Sequence, residues 1–277
     1  MINEELMNEE TLKKLHSVML EITDEIVRIC NKYNLTYFLV GGTLLGAIRH
    51  KGFIPWDDDM DIGMPRADYD KFISICKTEL SDKFFLDCKE TNDKYYLNFI
   101  KVRKNNTVLE QDFQQNYTGH KGIWVDIFPF DEVDGIPKNI TKTRKINCIL
   151  FSVLHYKNGF FLSKKHLGIK KIIGKIIFIK NKTILNYLDK IQKKQNNRGY
   201  KYILNFASSY DWTRELFLKE DIIPCKQAKF EDRTYMIPNN SEKVLTKVYG
   251  DYMKMPPVEE RITHNPVKLI FENEGEK

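Results

Sequence analysis

The chain has 277 residues, enough for one large domain or two modest ones with a full apolar core and no disulfide staples. Hydrophobic residues are 42% and charged residues 30%, an ordinary soluble globular composition with no apolar run long enough to span a membrane. The net charge of +6, from 44 basic and 38 acidic residues, is too mild to imply nucleic acid, although it suits an anionic substrate or an anionic membrane surface.

Five cysteines, none at a CxxC spacing, suggest neither a disulfide framework nor a zinc site, so free thiols in a reducing compartment are expected. The N-terminus, MINEELMNEETLKK, is polar and acidic and does not read as a secretory signal. These features predict a cytoplasmic protein.

Leu12, Leu15, Val18, Met19, Ile22, Ile26, Ile29 and Cys30 fall at helical spacing and predict a packing helix over 9–33. LTYFLV, 35–40, reads as a buried strand that Gly41-Gly42 ends, and Thr43–Arg49 as a short helix. A further helix is expected over Asp68–Leu80. Strands are expected at Phe84–Cys88, Tyr96–Val102 and Ile123–Phe128, the last closed by Pro129. The turn-rich segment FDEVDGIPKN, 130–139, marks a soft boundary. It separates an α/β core, residues 1–135, from a mainly helical C-terminal part, 136–277, that completes the site and the acceptor region. In that part IKKIIGKIIFIK, 169–180, is a basic amphipathic helix. It either lies on an anionic membrane surface or turns its isoleucines to the core; the second reading is favoured.

Chemistry concentrates in GGTLLGAIRHKGFIPWDDDMDIG, 41–63. Four aspartates in five residues repel one another unless a cation sits among them. Residues two apart on a strand share a face, so Asp59 and Asp61 point together while Met60 and Ile62 point into a core. A carboxylate pair of this kind suits a hard divalent cation, Mg²⁺ or Mn²⁺, that would bridge substrate phosphates. Gly41-Gly42 permits close approach of a phosphate, and the helix that follows offers free N–H groups, with Thr43 in its first turn. The directions of Asp57 and Asp58 stay open between a second ion, a pair with Arg49 or Lys51, and a solvated turn. Asp126, alone in the apolar strand IWVDIF, is costly there unless paired or liganded.

The order apolar strand, Gly-Gly, helix, Asp-apolar-Asp resembles the nucleotidyltransferase-fold superfamily, and Asp126 is the natural third carboxylate. GGTLLGAIRHKGFIPWDDDMDIG, KGIWVDIFPFD and YGDYMKMPPVEERITHNP together resemble the three blocks of the LicD family, which shares its core with the fukutin group. The resemblance implies a nucleotidyltransferase-like mixed sheet. It also implies a metal-dependent phosphotransferase that moves a phospho-alcohol, typically phosphocholine, from a CDP-alcohol to a sugar hydroxyl of a glycan, releasing CMP. Teichoic acid, lipopolysaccharide and capsule precursors, free or lipid-linked, are the acceptors this implies, with peripheral contact at the inner face of the membrane.

On this reading Asp59, Asp61 and Asp126 form the catalytic and metal set, with Asp126 the general-base candidate. Gly41, Gly42, Thr43, Arg49, Lys121 and His264 are candidates for donor or acceptor binding; Arg49 competes with a local ion pair and His264 with an ordinary histidine. Trp56 stacks on a ligand or packs. Tyr249, Tyr252 and Arg261, also in the third block, stand as His264 does, between phosphate or acceptor binding and an ordinary structural role. Two other readings stay open: a nucleotidyltransferase attacking the α-phosphate of a nucleoside triphosphate, and a non-catalytic nucleotide- or glycan-binding protein. Nucleic-acid binding is disfavoured, because the basic charge is spread out and no recognition motif appears.

Overall fold

The computed structural model describes residues 7–111, 117–158, 178–261 and 266–272. Helix α1, Glu9–Tyr33, matches the predicted span. Asn8 caps its start by accepting from the Thr11 N–H, and Asn34, in the left-handed region at φ 52°, ends it. Its buried stripe, Leu15, Met19, Ile22, Ile26 and Ile29, is the predicted one. Strand β1 is only Phe38–Leu39. Helix α2, Gly41–Arg49, begins two residues earlier than expected, so the glycine pair is its first turn.

Strand β2, Asp61–Pro65, leads into α3, Arg66–Glu79, and β3, Phe84–Asp87. Strand β4, Ile100–Lys104, is shorter at its start and longer at its end than the predicted strand, and β5 covers Val108–Gln111. Strand β6, Trp124–Val133, runs through Pro129. The proline is tolerated because along one edge β4 pairs no further than Ile127 and β7 begins at Asp131, so its missing N–H falls in the gap between partners.

Helix α4, Pro137–Lys157, follows, with proline at its first position, and then α5, Asn181–Gln192. The remaining elements are β7 (Tyr202–Leu204), α6 (Trp212–Glu215), β8 (Leu216–Leu218), α7 (Lys219–Ile222), a hairpin of β9 (Lys226–Phe230) and β10 (Arg233–Ile237), α8 (Ser241–Tyr249) and β11 (Pro266–Ile270). The fold is thus α/β, and the described C-terminal part, although mainly helical, also supplies strands to the sheet. Most of the basic stretch at 169–180 and the whole of 262–265, including His264, lie outside the described residues.

The main sheet runs β1-β2-β6-β4-β3, and β7 and β8 extend it from the far end of β6. β2 pairs parallel with β6, and β4 pairs antiparallel with β6 on its other side. On one face α1 and α3 pack against the sheet, and the odd residues Val125 and Ile127 of β6 are fully buried in the main core with Met60 and Ile62. The even residues Trp124, Asp126 and Phe128 therefore face the other way, toward a cavity. A separate apolar cluster joins Val153 and Leu154 of α4 to Ile184, Leu185 and Leu188 of α5 and holds α4 in place.

Candidate active site

The cavity has a volume of about 560 Å³, within the usual range for small-molecule sites. Its sheet wall carries Asp59 and Asp61, Asp126, and Phe99 and Lys101. The opposite wall is one stripe of α4, Arg144, Asn147, Cys148, Phe151 and His155, at helical spacing. Asn205 to Tyr210 and Glu215 close one side, and Gly41 stands at the edge.

Register brings the charges together. Asp61 is directly opposite Asp126 in the parallel pair, and Lys101 is directly opposite Asp126 in the antiparallel pair. The three side chains thus form one row across β2, β6 and β4. The Lys101 ammonium donates to Asp126 Oδ1 at 2.5 Å and lies 4.3 Å from the centre of the Trp124 ring. Lys101 is only 4% exposed, and its burial pushes the ammonium below its usual range while Asp126 pulls it back. Sequence reasoning singled out Asp126 but missed Lys101. The signal was available, since a lysine between Ile100 and Val102 is as costly in an apolar strand as an aspartate in IWVDIF.

Asp61 is the most perturbed of the acids. Burial, then the charges of Asp59, Asp126 and Asp57, push its carboxyl well above the usual carboxylate range, and Lys101 offsets this only in part. Its backbone N–H donates to Thr43 Oγ1 at 2.8 Å, so Thr43, itself buried, ties the start of β2 to α2. The glycine pair receives these acids. Gly41 has φ +58°, a conformation in which an L side chain is strained, and a Cβ on it would stand 3.1 Å from Asp61 Oδ2. A Cβ on Gly42 would stand 2.7 Å from Asp57 Oδ2. The N-terminus of α2 receives no side-chain cap from the residue before it, Val40, and lies against the acidic cluster.

The four aspartates are now distinguished. Asp59 and Asp61 line the cavity, Asp57 reaches the glycine pair, and Asp58 is 4% exposed, which rules out a solvated turn for it. The loop is held from α1: His16 Nε2 donates to the Asp57 carbonyl at 2.7 Å, and the imidazole stacks on Phe53 with centroids 3.8 Å apart. Burial lowers the proton affinity of His16, which favours the neutral ring with its proton on Nε2.

Other predicted residues fall elsewhere. Arg49 donates to His50 Nε2 at 2.9 Å and to the carbonyls of Tyr252 at 2.8 Å and Lys254 at 3.4 Å, clasping the C-terminal segment rather than lining the cavity. Lys121 bonds Glu110 at 2.8 Å and is not on the cavity wall. Trp56 packs under the Arg261 guanidinium, 4.4 Å from the ring centre. Tyr249 is close enough to Asp61 and Glu215 to feel both charges and is hydrogen-bonded with Tyr210; burial first, then Tyr210, drives its hydroxyl far above the usual phenol range.

Asp59 and Asp61 offer hard oxygen donors, and the raised carboxyl of Asp61 marks a centre short of positive charge, so the donor chemistry fits a hard divalent cation. Among the described residues no three His, Cys, Asp or Glu side chains converge closely enough to form a complete cage for such an ion. Asp59 and Asp61 are the pair able to hold it, while Asp126 already meets Lys101.

No described helix is long and apolar enough to cross a membrane. The family of LicD/FKTN/FKRP nucleotidyltransferase domains matches residues 34–167, which contain the glycine pair and all three aspartates of the cavity wall. The lipopolysaccharide cholinephosphotransferase LicD of Haemophilus influenzae is 31% identical over 268 residues, covering 94% of this chain and 97% of that protein. An uncharacterised protein of Rickettsia prowazekii is 35% identical over 91 residues, 26% of this chain and 34% of its own length. A likeness sustained over nearly the full length of the Haemophilus protein, together with the family match across the acidic wall, makes this chain a member of the LicD family.

Proposed function

We propose that this protein is a phosphocholine-type transferase. It moves a phospho-alcohol from a CDP-alcohol to a sugar hydroxyl of a cell-surface glycan, a lipopolysaccharide precursor first among the candidates, and releases CMP. The observation that carries the reading is the cavity wall on which Gly41, Asp59, Asp61 and Asp126 meet beside an uncapped helix N-terminus. The kinship with a lipopolysaccharide cholinephosphotransferase supports the choice of transferred group and acceptor.

Asp59 and Asp61 would hold Mg²⁺ or Mn²⁺, and the bound ion would neutralise charge on the donor diphosphate and on the departing CMP. The N–H groups at the start of α2 donate to the diphosphate oxygens, and Gly41 leaves no side chain in the way. The acceptor hydroxyl oxygen bonds to the distal phosphorus, the phosphoanhydride bond breaks, and its electron pair leaves on CMP. Asp126 takes the hydroxyl proton, and Lys101 keeps that carboxylate oriented toward the cavity. The α4 wall and the segment 205–210 limit water at the reacting phosphorus.

Incubation with Mg²⁺, a panel of CDP-alcohols and candidate glycan acceptors, with CMP as the readout, tests the proposal. CMP release that requires an acceptor and is lost in Asp59→Ala is the expected result. Pyrophosphate formed from CTP, with every CDP-alcohol inert, would assign a nucleotidyltransferase instead.

A further inference from the structure

The cavity contains a further acid that the transfer step does not use. Glu215, the last residue of α6, lines the cavity and is 8% exposed. Its carboxylate is hydrogen-bonded with Ser208 and feels two arginines, Arg144 and Arg214. Both guanidiniums are committed to backbone carbonyls. Arg144 donates to Phe206 and Ser208 at 3.0 Å and to Tyr210 at 2.7 Å, while Arg214 donates to Val248 and lies 4.9 Å over the Tyr210 ring. Neither closes on Glu215 as Lys101 closes on Asp126. Burial accordingly raises the Glu215 carboxyl to about 7.

The cavity that Glu215 lines is also rich in aromatic side chains. Tyr96, Phe99, Phe128, Phe151 and Tyr210 all line the cavity. Phe99 and Phe128 stand as a tilted pair with centroids 4.5 Å apart. Trp124 and Phe99 already meet cations: Lys101 and Arg103 lie over the Trp124 ring at 4.3 and 5.1 Å, and Lys101 lies 5.3 Å from the centre of the Phe99 ring, which leaves Tyr96, Phe128, Phe151 and Tyr210 for a ligand. A buried carboxylate whose neighbouring arginines are engaged elsewhere, in a cavity lined by aromatic rings, suits a ligand with full positive charge whose surface the ring faces can hold without hydrogen bonds. A polyol head needs a dense array of donors and acceptors, which aromatic rings do not supply.

We infer that Glu215 and the aromatic wall form the specificity site for a quaternary ammonium on the transferred alcohol, with Glu215 as its counter-charge. The assignment rests on the transferase reading above and goes beyond it, because it selects a cationic alcohol over glycerol or ribitol and names the residues that select it.

The test uses CDP-choline and the CDP ester of 3,3-dimethylbutanol, a neutral isostere of choline with the same shape. Affinity is measured by calorimetry and transfer by CMP release, for the wild-type protein and for Glu215→Gln, Glu215→Asp and Phe151→Leu. The wild type is expected to prefer the charged donor by about tenfold or more. Glu215→Gln loses most of that preference, Glu215→Asp retains part of it, and Phe151→Leu weakens it through the ring. Equal use of the two donors by the wild type, or an unchanged preference in a folded Glu215→Gln, would overturn the assignment and leave the transferase reading standing. A wild type that neither binds nor cleaves either donor would overturn both.

Discussion

Replacing Lys101 by Met keeps most of the side-chain volume and removes one charge from the row Asp61, Asp126, Lys101. The lysine is 4% exposed, the Asp126 side chain is 13% exposed, and their contact is 2.5 Å. Breaking a buried pair from one side leaves the other charge without compensation and costs about 3–5 kcal/mol. The ammonium also lies over Trp124, and loss of that desolvated contact adds to the cost, up to about 2 kcal/mol. Asp126 would then face Asp61 with no cation on its other side to offset the repulsion. Urea unfolding at neutral pH without divalent ions, on Lys101→Met, Asp126→Asn and the double variant, measures the effect. The double variant should cost less than the sum of the singles by at least about 1.5 kcal/mol, since neither charge is left alone. A loss below about 1 kcal/mol in Lys101→Met, or simple additivity, would refute the argument that the lysine is the built-in counter-charge of the site.

Asp61→Asn should abolish CMP release and make the ion-free protein more stable, because the carboxylate it removes is crowded by Asp59, Asp126 and Asp57. Since the folded state holds the Asp61 proton above the pH at which the unfolded chain loses it, ion-free wild type loses stability relative to Asp61→Asn as pH rises above about 4; parallel Tm-against-pH curves would count against this. The same sign applies at Glu215. Its folded value of about 7 against 4.5 unfolded means that Glu215→Gln should match the wild type below about pH 4 and exceed it by about 3 kcal/mol above pH 7, measured by denaturant unfolding. Gly46→Ala would place a Cβ 2.4 Å from the Gly52 carbonyl, so it should cost about 1–3 kcal/mol despite better helix propensity, and an unchanged urea midpoint would exclude the close approach.

Much of the site was legible because its acidic half is contiguous. Met60 and Ile62 are fully buried and Asp59 and Asp61 share the cavity, as the alternation required. The packing stripe of α1 was legible for the same reason, a regular period. Pro129 misled because whether a strand tolerates proline depends on where its partners begin and end, and the facing ends of β4 and β7, Ile100 and Leu204, lie 29 residues before it and 75 after it. Glu215 and Arg144 carried no signal in the sequence, since a charged residue in a helical pattern is ordinarily solvated. Only the packing of α4 and α6 over the sheet turns them inward. Lys121 and Arg49 failed in the opposite way: both are close to the acidic strands in sequence, yet each meets an acceptor nearer than the cavity, Glu110 for one and the carbonyls of Tyr252 and Lys254 for the other.

The most direct measurement of the central claim is CMP release from CDP-choline by the purified protein, with Mg²⁺ and a lipopolysaccharide-type acceptor, compared between the wild type and Asp59→Ala. Release that depends on both ion and acceptor, and that vanishes in the variant while its fold persists, is the predicted result. Equal release by a folded Asp59→Ala, or pyrophosphate from CTP with CDP-choline left intact, would contradict it.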